Sequence, residues 1–71
     1  MRIRGRVVHE DIEGGFWGIV ADDGRHFEPV DDLPAAFLKE GMSVEADVEP
    51  AGIASMRMWG QTVRVISIHP V

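Results

Sequence analysis

The chain has 71 residues, 45 % of them apolar, with four prolines, no cysteine and a net charge of -5. That length admits one domain spanning residues 1–71, and its composition is that of a globular chain with a thin core. The missing cysteine excludes disulfides, a thiol nucleophile and Cys-based zinc sites, and the acidic balance argues against a general phosphate binder.

Residues 2–10 alternate at first. Arg2, Arg4 and Arg6 fall on one face and Ile3, Gly5 and Val7 on the other, a period of two that predicts a strand. The alternation slips at the apolar neighbours Val7-Val8, where a bulge would bend the strand. The charged start has no apolar stretch behind it, and no run approaches the ~20 residues that span a bilayer. A soluble, cytoplasmic chain without membrane contact is expected.

Gly14-Gly15 turns the chain into Phe16-Trp17-Gly18-Ile19-Val20, and Asp22-Asp23-Gly24 then leads to Arg25-His26-Phe27. Asp-Gly between two β-favouring runs predicts a hairpin, because Gly accepts the positive φ of the turn. A two-residue loop at Asp23-Gly24 pairs Val20 with Phe27; a three-residue loop pairs Ile19 with Phe27 instead. The two-residue loop is preferred slightly. It turns Val20 and Phe27 inward and leaves Trp17, Ile19, His26 and Val30 outside.

Asp31 to Gly41 carries helix punctuation, with aspartates before, Pro34 in the first turn and Gly41 after. A helix of about two turns is expected, with Leu33 and Phe37 covering one end of the core. Ser43–Glu49 alternates cleanly, with Val44, Ala46 and Val48 on one face. After the turn Pro50-Ala51-Gly52, a last strand is expected from about Ile53 to His69, interrupted by a kink or close backbone approach at Trp59-Gly60.

The order strand, strand, strand, short helix, strand, strand predicts a mainly β fold, a five-stranded OB-like antiparallel barrel with one short helix between strands 3 and 4. Closure would pair the first strand with the fourth and set the Arg2, Arg4, Arg6 row against Glu49, Asp47, Glu45.

The hairpin resembles the cold-shock domain. Trp17-Gly18-Ile19-Val20 stands where that family has its aromatic-Gly-aromatic-Ile core, and Arg25-His26-Phe27 lies near its second RNA-binding motif. Ile19 replaces the second aromatic, the preceding Lys is missing, and Pro29 occupies the place of the family's His. Through GGFWGIVADDGRHFEP, DDLPAAFLKEG and MRMWG, nearly the whole chain is similar to small bacterial OB-like domains of unassigned function. The resemblance implies such a barrel and brings no catalytic or ligand residue with it.

His9, His26 and His69 lie far apart without the converging companions a metal site requires. Ser43, Ser55, Thr62 and Ser67 have no neighbouring base in sequence, and the abundant carboxylates read as solvated or paired with Arg. No enzyme, cofactor or metal is expected. The expected function is a binding or interaction module. Its candidate residues are Trp17, Ile19, Arg25, His26 and Trp59, with Trp59 either extending their surface or plugging the barrel, and Met56-Arg57-Met58 either an adaptable flank or, equally, a half-buried strand with Arg57 outward. Protein is the favoured partner; a degenerate single-stranded nucleic-acid binder using Arg25, His26, Arg57 and Trp17 is the alternative, and a purely structural domain the third reading.

Overall fold

A computed structural model describes residues 1–55 and 57–71 of the chain. Five strands form, β1 (Arg2–Glu10), β2 (Phe16–Ala21), β3 (His26–Pro29), β4 (Ser43–Pro50) and β5 (Gln61–Pro70). They close into a barrel in the order β1-β2-β3-β5-β4. Four seams are antiparallel and the β3–β5 seam is parallel. An odd number of strands requires this, since directions cannot alternate all the way around a closed ring.

The alternation read along β1 sets its two faces. Ile3 and Val7 are buried while Arg2, Arg4 and Arg6 are exposed. No bulge interrupts Val7-Val8, because Val8 simply turns outward and pairs with Gly18. The bulge lies in β5, where Ser67 pairs with Asp47 and Val65 with Val48, leaving Ile66 extra and its side chain 59 % exposed. The β1–β4 seam forms two residues away from the expected register, with Arg2 opposite Asp47 and Arg4 opposite Glu45. Glu45 gathers Arg2 at 3.9 Å, Arg4 at 4.0 Å and His69 at 3.2 Å. Such exposed pairs fix register more than they stabilise.

The hairpin takes the three-residue loop. Ile19 pairs with Phe27 and Val20 with His26, the Ala21 N–H donates to Arg25 O at 2.8 Å, and Gly24 sits at φ 91°. The preferred two-residue loop is therefore incorrect, and with it every side chain of β2 changes face. Ile19 and Phe27 are wholly buried in a core completed by Val7, Val44, Val48 and Val63. The bond donated by the Arg25 backbone N–H, reinforced by its guanidinium, holds the Asp23 carboxyl below its usual range against the opposing effect of desolvation. The loop's acidic clasp is thus present above the ordinary carboxylate range and is lost as pH falls through the lowered value.

Between β3 and β4 the helix is a single 3₁₀ turn, Ala35–Phe37. Pro34 remains extended and no side chain caps it, so Asp31 and Asp32 do not perform the capping expected of them. The following segment is drawn to β1 instead, where Gly41 N–H donates to Val7 O and Val7 N–H to Met42 O. Those bonds end the turn and leave Leu33 buried, with Phe37 packed on the edge of the core. The expected start of the last strand is also corrected. Among the described residues, 53–55 and 57–60 run as loop, and β5 begins at Gln61.

Candidate binding surface

The outer face of β2 carries Phe16, Gly18 and Val20, and the paired outer face of β3 carries His26 and Glu28. The loop between β4 and β5 lies across this wall. Its reason for doing so begins at Gly18, which leaves a bare patch of backbone on an otherwise occupied face. Trp59 fills it. A Cβ at Gly18 would stand 2.5 Å from both Cη2 and Cζ3 of the indole. The indole also stacks on His26, with centroids 4.5 Å apart and planes 30° apart, and meets Phe16 edge-on at 5.2 Å. Gly60 realises the close backbone approach expected there, since a Cβ would fall 2.6 Å from the His26 carbonyl oxygen.

A second anchor is polar. Glu28 is buried, and its carboxylate accepts a bond from the Ser55 hydroxyl at 2.6 Å and pairs with Arg57 Nη1 at 2.7 Å. The Arg57 N–H donates to Ser55 Oγ at 3.0 Å, and its guanidinium lies 4.6 Å from the Phe16 ring centroid. Thr62 Oγ1 donates to the Ile53 carbonyl and closes the loop at its base. Clefts of about 380 and 440 Å³ open on either side of Arg57. The first is floored by Trp17 and Leu33; the second runs between Glu28 and Ile53.

The structure disperses the residues expected to bind. His26 and Trp59 meet directly. Trp17 shares the inward face of Ile19, is half-buried against the core, and touches the His9 ring at 4.8 Å between centroids. Ile19 does not reach the surface, a consequence of the hairpin register. Arg25 stands at the hairpin tip, where its Nε pairs with Asp23 at 2.8 Å. Phe16, Gly18, Glu28 and Ser55 complete the cluster, and of these Gly18 and Ser55 carried no signal as binding residues in the sequence. Met58 is 90 % exposed beside the cluster, while the part of the Met-Arg-Met flank at Met56 lies outside the described residues.

The two anchors make distinct predictions. Gly18→Val should eject the Trp59 indole while leaving the barrel closed, read as a red shift and greater quenching of tryptophan emission, with Trp17→Phe as background. Arg57→Met removes the cation from a buried carboxylate. A fully buried pair broken this way costs ~3–5 kcal/mol, and about 2 kcal/mol is expected here because the Arg57 side chain is 32 % exposed. Adding Glu28→Met should recover most of that loss in urea denaturation.

Among the described residues no group of three or more His, Asp or Glu is placed to hold a metal ion, and no helix is long and apolar enough to cross a membrane. No protein-family model matches the chain, and no curated protein or solved structure is significantly similar to it.

Proposed function

We propose that this chain is a non-enzymatic, OB-like binding module of the cytoplasm that engages a protein partner through the β2/β3 wall and the loop laid over it. The strand order, the parallel β3–β5 seam and the short turn between β3 and β4 agree with that barrel type. Its habitual ligand surface is the face of the second and third strands with the β1–β2 and β4–β5 loops. The observation that carries the reading is the convergence of Phe16, His26, Trp59 and Arg57 on that face, with Met58 beside them. Aromatic residues, Met and Arg are the types enriched where proteins meet. The net charge of -5 weighs against a phosphate backbone as the partner.

The nucleic-acid alternative keeps one observation in its favour, the stacked His26–Trp59 pair beside Arg57. Of its other two residues, Trp17 packs on the core at the floor of the cleft beside Arg57, away from the stacked pair, and Arg25 stands at the hairpin tip.

Photocrosslinking from benzoylphenylalanine at position 58, in cells, tests the proposal. Discrete protein adducts that disappear with Trp59→Ala are expected, and an absence of adducts refutes a protein partner. A labelled oligothymidylate titrated at low salt supplies the other arm. Tight binding that salt abolishes would establish the nucleic-acid reading in its place.

A further inference from the structure

The barrel is closed, but not along its whole height. β3 contributes only Phe27, Glu28 and Pro29 to its seam with β5, opposite Gln61, Thr62 and Val63. Beyond Val63, β5 is paired only with β4, as far as Pro70. Among the described residues, one edge of β5 from Arg64 onward therefore has no strand beside it. A cleft of about 370 Å³ follows this edge, between Val65–Ile68 on one side and Asp31–Pro34 on the other. Its floor is apolar, formed by Val65 and Ile68 packed on the core and by buried Leu33. Its rim is acidic. Asp31 and Asp32 are both exposed and take part in none of the ion pairs found among the described residues.

We propose that this edge docks an extended peptide segment of a partner, one that alternates apolar and basic residues and adds to β5 as a strand. Main-chain bonds to the free edge would hold the backbone, alternate apolar side chains would enter the cleft, and Lys or Arg would meet Asp31 and Asp32. Strand addition of this kind draws affinity from the backbone and selectivity from side-chain pockets. Charge complementarity selects the occupant, because the cleft's rim and the whole chain are acidic. The bulge at Ile66 selects against a second copy of the chain. It breaks the regular edge that long strand-to-strand self-association needs, while leaving room for a short segment. Asp31, Asp32 and Leu33 also border the cleft beside Arg57, so it is the response of Val65–Ile68, which line the edge cleft alone, that separates this proposal from the wall's.

The test uses the intact chain and a capped Lys-Val-Lys-Val-Lys-Val-Lys peptide, followed by amide chemical-shift changes. Binding on the order of millimolar or tighter is expected, with the changes concentrated at Arg64–Ile68 and Asp31–Leu33. Asp31→Asn with Asp32→Asn, in an exposed connection that leaves the core intact, should weaken it about five-fold. A peptide N-methylated at its valines should lose binding at least ten-fold, and the Glu-for-Lys peptide should not bind. No binding, undiminished binding of the N-methylated peptide, or shifts centred on His26 and Val20 would each overturn the proposal. A concentration-dependent dimer that shifts the same β5 amides without peptide would assign the edge to a second copy instead.

Discussion

Gly5→Val should leave the chain unfolded at room temperature, seen as loss of dispersed amide proton shifts and of β circular dichroism. Gly5 is paired on both sides, to Ala21 of β2 and to Val44 of β4, at the point where β1 passes from one partner strand to the other. A Cβ there would stand 2.1 Å from Val20 O and 2.7 Å from Ala21 Cα. These are backbone atoms held by hydrogen-bonded ladders, so no side chain can swing aside to make room. Overpacking in a core that can adjust costs ~1–3 kcal/mol, and this clash meets the part that cannot. Against a total stability of about 5 kcal/mol for a domain this small, little remains. Gly5→Ala should fail in the same way, because the offending atom is the Cβ itself.

Phe27→Ala should have nearly as large an effect for the opposite reason. Phe27 is the largest wholly buried side chain, and its ring touches the core from the short strand that carries the parallel seam. Emptying such a site costs ~3–5 kcal/mol, most of what the domain has. Phe27→Leu keeps much of the volume and should cost about 1.5 kcal/mol, leaving a folded protein whose urea midpoint can be measured. Ile12→Ala, outside the core, should leave that midpoint almost unchanged.

What the sequence made legible follows from where its pattern has a single solution. Arg2, Arg4 and Arg6 alternate with Ile3 and Val7, and Val44, Ala46 and Val48 alternate with charge, so β1 and β4 could be placed and paired. In β2, Phe16, Trp17, Ile19 and Val20 are apolar on both faces, and a period of two then gives no preference for either register. The deciding residue is the one without a side chain. With Gly18 outward, the outer face has a vacancy that Trp59, forty-one positions later, can occupy (59 − 18). A rule that sets Gly18 and Gly60 beside Trp59 would have located the wall cluster. The polar anchor was harder to see, since Glu28 next to Pro29 resembles a solvated strand end until Arg57 and Ser55 arrive from the loop. The helix failed because its punctuation is only local. Two long-range backbone bonds to Val7 outweigh a propensity that about two turns cannot sustain.

The brevity of the β3–β5 seam bears on how the chain reaches and leaves its folded state. β1, β2 and β3 can zip together through neighbouring segments, whereas the β3–β5 seam must join Phe27 to Gln61, thirty-four positions apart (61 − 27). The β1–β4 seam spans more still, forty-five positions from Arg2 to Asp47 (47 − 2), so two nonlocal seams close the ring and set a folding time in the millisecond-to-second range of nonlocal β topologies. The three-residue seam is also the parallel joint of the barrel, and opening it would leave every antiparallel ladder in place. The ring would then become a curled ribbon, unlatching the Trp59 loop and lengthening the free edge of β5 in one motion.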